Sequence, residues 1–113
     1  MGKIPASQRA GAVKEIDVQC GIVEYLQRIR HVYCWRQNTG GFMRDGHFYR
    51  FGIKGMADIL GVLYPTGRIL AIEVKRPGEK PTAEQQRFLD DVNGSGGLAF
   101  VATSVQDVID RVG

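Results

Sequence analysis

The sequence predicts an α/β fold in which helices flank a central β-sheet. Amphipathic helical patterns lie towards both ends of the chain, and apolar strand-like runs separated by turn signals lie between them. With 113 residues and 43% hydrophobic content, the chain is long enough to bury one modest core. We therefore expect one domain over residues 1–113, in which the polar residues 1–11 form a flexible N-terminal segment.

The first predicted element is an amphipathic helix over residues 12–30. Its apolar residues recur at spacings of three and four, as on one face of an α-helix. They are Val18, Ile22, Leu26 and Ile29. Glu15 has the same helical phase, although a carboxylate is unexpected on an apolar stripe. Its position near the helix start also suits the helix dipole.

Two aromatic-rich segments follow the helix, at residues 32–37 and 47–51. Asn38-Thr39-Gly40-Gly41 lies between them and is a turn signal. We expect a hairpin or an extended arm here. Its aromatic side chains are expected in the core or at a dimer interface, rather than as platforms that stack on bases.

Two nearly continuous apolar runs, residues 57–64 and 69–75, flank the turn signal Pro65-Thr66-Gly67-Arg68. Continuous runs, rather than alternating ones, are expected where helices cover both faces of a sheet. Both runs are therefore predicted to be central strands that are joined by a tight turn.

The last third of the chain predicts a helix, a strand and a final helix. Thr82 begins the first of these helices, and the glycine-rich residues 93–97 end it. A short strand follows at residues 98–103. Ser104, with Asp107 three residues later, resembles the start of the final helix.

Composition and charge limit the function classes. Cys20 and Cys34 lack zinc-ligand spacing, no run approaches the roughly 20 apolar residues of a membrane span, and no phosphate-binding Gly-x-x-x-x-Gly-Lys-Ser/Thr loop is present. We expect a cytoplasmic protein with reduced thiols and no membrane partner. The formal charge of +3 and the pI near 9.1 favour a polyanionic partner.

Three charged residues are expected to converge within the apolar strands. If Thr66-Gly67 is a two-residue turn, the antiparallel register places Asp58 opposite Lys75. Alternate residues of a strand share a face, so Glu73 joins them. A loop of four residues preserves this convergence, whereas a loop of three breaks it unless a bulge compensates.

Two carboxylates and a lysine on a buried surface need compensation, because unpaired charges are strongly disfavoured there. A hard cation such as Mg²⁺ prefers oxygen ligands, so Asp58 and Glu73 are candidate metal ligands. Such a metal activates water and polarises a phosphodiester, and Lys75 would orient the water or stabilise transition-state charge. The alternative is a salt bridge between Lys75 and Asp58, with Glu73 paired to Arg76 or solvent.

Gly55-Met56-Ala57-Asp58-Ile59-Leu60-Gly61, followed by Ile72-Glu73-Val74-Lys75, resembles the motif of the PD-(D/E)XK nuclease superfamily. Ala57 stands where a proline is usual, but that proline has no chemical role. The closer resemblance is to the VRR-NUC branch, and it covers about residues 15–108. The further motifs of that branch correspond here to Glu15, Trp35-Arg36-Gln37-Asn38-Thr39-Gly40 and Thr82-Ala83-Glu84-Gln85.

The resemblance implies a restriction-endonuclease-like core, with a central mixed β-sheet flanked by helices, and Mg²⁺- or Mn²⁺-dependent hydrolysis of DNA phosphodiesters. The implied catalytic residues are Asp58, Glu73, Lys75, Gln85 and Glu15. The implied metal ligands are Asp58, Glu73, the backbone carbonyl of Val74, and Glu15, directly or through water. The residues expected to contact DNA are Arg36, Asn38, Arg44, Arg50, Lys54, Arg76 and Lys80.

Two of these assignments have alternatives that the sequence leaves open. Thr82 and Gln85 have the spacing of a capping box, so Gln85 either caps its helix or serves the active site. Arg36 and Asn38 lie at a glycine-rich segment that is either a simple turn or a phosphate contact.

Stand-alone members of the branch resemble phage and bacterial enzymes that act on branched DNA, often as dimers. The resemblance therefore implies a homodimeric endonuclease similar to Holliday junction resolvases, in a bacterial or phage-infected cell. The alternatives are an end- or flap-selective nuclease without junction preference and a catalytically silent DNA-binding module.

Overall fold

The computed structural model describes residues 14–37 and 40–113 of the chain. The expected N-terminal segment, residues 1–11, and the expected phosphate contact Asn38 lie outside these ranges. The elements in chain order are α1 (Glu15–Arg28), β1 (Tyr33–Arg36), β2 (Gly41–Arg44), β3 (His47–Arg50), β4 (Ile59–Val62), β5 (Ile69–Val74), α2 (Ala83–Gly94), β6 (Leu98–Ala102) and α3 (Val105–Val112).

The central sheet is mixed and has the strand order β1-β4-β5-β6. β4 pairs antiparallel with both β1 and β5, whereas β6 pairs parallel with β5 after the α2 crossover. A parallel connection needs such a crossover because a tight turn only reverses the chain. The predicted α/β fold and the central position of the two apolar runs are both confirmed.

Helices cover both faces of this sheet and divide its core into two clusters. On one face, α1 and α3 pack over residues from all four strands; the largest fully buried side chains there are Ile22, Leu26, Ile59, Leu70, Ile72, Val74 and Val108. On the other face, Leu89 of α2 packs over Ala57, Ala71 and Ala99. The small strand residues on this second face let α2 lie close to β5 and β6.

The helix ends follow local chemistry. The hydroxyl of Thr82 caps α2 by accepting from the Gln85 backbone N–H, and Ser104 caps α3 in the same way through Asp107. The prediction for α1 was wrong at one position, because Ile29 is 65% exposed rather than buried on the apolar stripe. It is the C-cap residue of α1, directly after the last helical residue, and its backbone N–H still donates to Tyr25. None of the helices in the described residues is long and apolar enough to span a membrane.

The predicted position of the aromatic hairpin needs correction. Residues 33–36 belong to the central sheet, and the hairpin is formed by β2 and β3 around Asp45-Gly46. Both turn residues have positive φ angles, 52° and 77°, as a two-residue type I′ turn requires. Of the expected turn at residues 38–41, Gly40 and Gly41 therefore lie at the root of the hairpin rather than at its tip, and Asn38 and Thr39 are outside the described residues.

The predicted register between β4 and β5 was shifted by two residues. Val62 pairs with Ile69, and the backbone N–H of Leu63 donates to Arg68, so four residues form the loop. Continuing this register places Asp58 opposite Glu73 rather than opposite Lys75. Because the shift is even, all three side chains still belong to the same face of the sheet, which is the face covered by α2.

Candidate active site

The charged residues singled out from the sequence meet at one end of the central sheet. Asp58 immediately precedes β4, Glu73 is near the end of β5, and Lys75 follows it. The first turn of α2 brings Gln85 to the same end. Glu15 is the first residue of α1, and its charge interacts with those of Lys75 and Asp58. Elements distant in sequence therefore assemble the site.

Glu73 is the buried centre of this group, with 2% of its surface exposed. Its Oε1 accepts a hydrogen bond from Gln85 Nε2 at 3.1 Å and lies 3.9 Å from Lys75 Nζ. Its Oε2 is buried and has no hydrogen-bond partner among the described residues. Burial, followed by the neighbouring Asp58 carboxyl, raises the pKa of Glu73 to about 8.

Asp58 is held by the backbone on both sides. Its Oδ2 accepts from the backbone N–H of Val74 at 2.8 Å, and its carbonyl accepts from the backbone N–H of Gln37 at 2.7 Å. The Gln37 bond extends the β1-β4 pairing by one residue beyond β4, and the Val74 bond ties the Asp58 side chain to β5. Asp58 thus sits in a defined position beside Glu73, although it lies outside the regular strand.

The structure places Gln85 in both of the roles that the sequence offered as alternatives. Its side-chain Oε1 accepts from the Thr82 backbone N–H at 2.9 Å, while the Thr82 hydroxyl accepts from the Gln85 backbone N–H, which completes a capping box. Its Nε2 donates to Glu73. An amide has an acceptor and a donor at opposite corners, so capping and contact with Glu73 do not compete.

Lys75 does not form the salt bridge with Asp58 that was the alternative to a metal site. Its ammonium lies nearest to Glu73 Oε1, at 3.9 Å, and its side chain is 12% exposed. That separation is longer than the usual 2.7–2.9 Å of a charge-assisted hydrogen bond. The ammonium therefore keeps donors free at the edge of the site.

The structure adds Glu79 to the acidic residues near the site, although the sequence motifs did not select this residue. It follows β5 in a turn, where its Oε1 accepts from the Arg76 backbone N–H at 3.0 Å. Its carboxyl interacts with that of Glu15. The Arg76 bond lowers the pKa of Glu79, whereas burial and the Glu79 carboxyl raise the pKa of Glu15. One feature of the sequence could have indicated Glu79. It is an acidic residue four positions after Lys75, and it directly follows the turn signal Pro77-Gly78.

Asp58 and Glu73 fit a hard divalent cation. They supply adjacent carboxylates, and the unpartnered Oε2 of Glu73 lacks the hydrogen bond that a buried carboxylate oxygen normally makes. Mg²⁺ usually combines one or two protein carboxylates with several waters. No group of three histidine, cysteine or acidic side chains in residues 14–37 and 40–113 is arranged to hold a metal. Glu15 therefore stands near the pair without completing a three-ligand cage.

The cationic residues fall into three groups around this end of the sheet. Arg36 Nε donates to Gln19 of α1 at 3.0 Å, and Lys54 pairs with Glu84 of α2 at 3.2 Å. Arg44 and Arg50 are exposed on the β2-β3 hairpin. Arg76 and Lys80 are exposed in the segment that follows β5.

Comparison with protein families identifies a known domain in this chain. A family model described as the VRR-NUC domain matches residues 24–106, which include Asp58, Glu73, Lys75 and Gln85 but begin after Glu15. A comparison with curated proteins gives no match. The family match covers well over half of the 113 residues. The chain belongs to the VRR-NUC family of nucleases.

Proposed function

We propose that this protein is an Mg²⁺- or Mn²⁺-dependent DNA endonuclease, with Asp58 and Glu73 as metal ligands. The observation that carries the proposal is the buried Glu73 carboxylate, whose Oε2 is unpartnered while Gln85 and Lys75 flank its Oε1. Burying such a group is unfavourable for folding alone. Its retention is understandable if a cation satisfies the oxygen in the working enzyme.

The bound cation would supply polarisation of the phosphodiester and activation of a water molecule. The protein supplies the arrangement around it. The Gln85 side chain donates a hydrogen bond to Glu73 Oε1, which leaves Oε2 for the cation. The Val74 N–H donates a hydrogen bond to Asp58 Oδ2. The backbone carbonyl of Val74 and the carboxylate of Glu15, through water, remain proposed additional ligands. The ammonium of Lys75 stabilises the charge that develops on the phosphate oxygens.

DNA is the proposed substrate because cations surround the site on its exposed sides. Arg44 and Arg50 project from the hairpin, and Arg76 and Lys80 lie beyond β5. Phosphate contacts of this kind provide most of the non-specific affinity for DNA. Selectivity for branched DNA, similar to that of a Holliday junction resolvase, and action as a homodimer are proposed from family membership and small size.

The experiment is a cleavage assay on single strands, duplexes, flaps and four-way junctions, with Mg²⁺, with Mn²⁺ and with EDTA. We expect metal-dependent cleavage by the wild-type protein and at least about 100-fold slower cleavage by Glu73→Gln, since the variant loses a metal ligand. Glu24→Gln is the matched control, because Glu24 lies on the exposed side of α1 and its ion pair in the part of the chain that the structure describes is with exposed Arg28.

Three outcomes separate the proposals. Cleavage by Glu73→Gln at the wild-type rate would refute the assignment of the site. Cleavage of flaps or duplex ends in preference to junctions, by a monomer in solution, would replace the junction proposal with an end- or flap-selective nuclease. DNA binding without cleavage under every metal condition would indicate a catalytically silent module.

A further inference from the structure

The β2-β3 hairpin is a separate two-stranded sheet with solvent on both faces. β2 and β3 pair with each other and not with the central sheet, and every residue of the two strands except the half-buried Gly41 is exposed. Isolated two-stranded hairpins are marginally stable in water. The exposed aromatic side chains of the hairpin are therefore not core residues of this chain. The expectation from the sequence that they lie in the core was wrong.

The aromatic side chains are ordered into a platform. The register pairs Phe42 with Tyr49, so the two rings share a face, and they stack with centroids 5.3 Å apart and planes 17° apart. Phe51 adds a third ring, 5.9 Å from Phe42. The three side chains remain between 47% and 52% exposed. We name Phe42, Tyr49 and Phe51 the aromatic platform.

Basic residues flank this platform. Arg44 and His47 oppose each other at the hairpin tip on the face of the platform, and Arg50 lies on the other face. Asp45, in the turn, is the only acidic residue in the sequence between residues 36 and 57. Aromatic rings interleaved with arginine are the combination that binds unpaired nucleic-acid bases and their phosphates.

The hairpin is rooted at the active site. On one side, the Gln37 N–H donates to the backbone carbonyl of Asp58, which is itself a proposed metal ligand. On the other side, Lys54 pairs with Glu84, and Gly55 packs against the backbone of the α2 turn that carries Gln85. Nucleic acid whose scissile phosphate lies at Glu73 would therefore pass close to the base of the hairpin.

We propose that the hairpin is a nucleic-acid contact arm, in which the aromatic platform stacks on bases exposed at a branch point while Arg44 and Arg50 bind the flanking phosphates. This inference rests on the proposed function and names the feature of the DNA that the enzyme selects. A second copy of the chain fits less well as the occupant. A two-fold symmetric contact brings the same patch of both copies together, so it would enclose Arg44 from each copy with only Asp45 of the hairpin to offset the charge.

The test measures binding rather than cleavage. Four-way junctions and flaps carry 2-aminopurine at the branch point, matched duplexes carry it at a paired position, and EDTA prevents hydrolysis. We expect wild-type protein to change the fluorescence of the branch-point base. The Phe42→Ala/Tyr49→Ala variant is expected to lose that change and about 10- to 100-fold in affinity for branched DNA, against less than about 3-fold for the duplex.

Controls separate stacking from other effects. Tyr49→Phe keeps the ring and should bind as the wild type does. Tyr64→Ala removes a 91% exposed aromatic near the opposite end of the sheet and should have no effect. Arg44→Gln/Arg50→Gln leaves the aromatic platform intact and should lower the slope of log affinity against log salt by about 2, as expected for two lost phosphate contacts.

Three results would overturn the proposal. The first is wild-type binding of branched DNA by Phe42→Ala/Tyr49→Ala, and the second is an unchanged salt slope in the arginine variant. The third is conversion of a wild-type dimer to a monomer by the aromatic variant, which would identify the hairpin as a contact between copies. Because no cleavage is measured, an inactive protein that still stacks on branch-point bases would refute the proposed function without refuting this one.

Discussion

Replacing Glu73 with glutamine is expected to stabilise the metal-free protein at alkaline pH while removing its response to metal. Glutamine keeps the size of the side chain and an oxygen that can accept from Gln85, but it cannot ionise. In the wild type, the pKa of Glu73 rises from 4.5 to about 8 on folding. Because the pKa of Glu73 is higher in the folded state than in the unfolded state, the contribution of this group to the free energy of unfolding is fully present below pH 4.5. It is lost as the pH rises through 8.

The magnitude follows from the size of that shift. Each pKa unit corresponds to about 1.4 kcal/mol, so the rise sets an upper limit of about 5 kcal/mol on the pH-dependent loss. The attraction of the Lys75 ammonium, 3.9 Å away, is already contained in this shift, because it lowers the pKa of Glu73. We therefore expect the free energy of unfolding of Glu73→Gln, relative to wild type, to rise by up to about 4 kcal/mol between pH 5 and pH 9.

The assay is urea denaturation of both proteins in EDTA at intervals of one pH unit, which suits a single small domain. Glu24→Gln again serves as the control, because its side chain is exposed and its difference from wild type should not vary with pH. Adding Mg²⁺ should raise the free energy of unfolding of the wild type, and this increase should grow with pH because the metal displaces a proton from Glu73. Mg²⁺ should not stabilise Glu73→Gln in this way. A difference between Glu73→Gln and wild type that stays constant from pH 5 to pH 9 would refute this account of the buried carboxyl.

Four further substitutions test the surroundings of the site and the glycine at the hairpin turn. Gly55→Ala should destabilise by about 3 kcal/mol in urea denaturation, because Gly55 has a φ of 82° and a Cβ there would lie 2.5 Å from the α2 backbone. Gly46→Ala, at a φ of 77° with no neighbour within 4 Å, should lose only about 1 kcal/mol. Thr82→Ala should cost about 1 kcal/mol through the lost cap. Gln85→Glu should keep the cap but slow cleavage at least about 10-fold, since a carboxylate replaces the donor to Glu73.

Each of these predictions has an outcome that contradicts it. Equal destabilisation by the alanines at positions 55 and 46 would mean that backbone angle, rather than contact with α2, makes Gly55 necessary. Unchanged stability of Thr82→Ala would show that the capping box does not hold the first turn of α2. Cleavage by Gln85→Glu at the wild-type rate would limit Gln85 to its capping role.

Local features of the fold could be predicted because they depend on neighbouring residues. Helical periodicity placed Ile22 and Leu26 in the core, and the side chains of Thr82 and Ser104 capped their helices as expected. The apolar runs around residues 59–62 and 69–74 became the central strands. Period, capping chemistry and turn residues act over one or two turns of chain, so sequence is sufficient to read them.

Some of the candidate site followed from sequence, but its contacts did not. The even spacing of Glu73 and Lys75 was enough to predict a shared face, and the motifs selected Asp58 as their partner. The pairing of Asp58 opposite Glu73 required the four-residue loop, which strand parity alone does not distinguish from a two-residue turn. Glu79 was missed because its approach to Glu15 joins residues 64 positions apart.

By itself, then, the sequence determined the fold class, the helix caps, the face on which the charges lie and the family motifs. The tertiary structure decided the strand register, the double role of Gln85, the burial of Glu73 and the separation of the hairpin from the core. These features depend on which distant surfaces meet. Burial and long-range hydrogen bonds arise only when the chain is packed, whereas periodicity and capping are already present in a single segment.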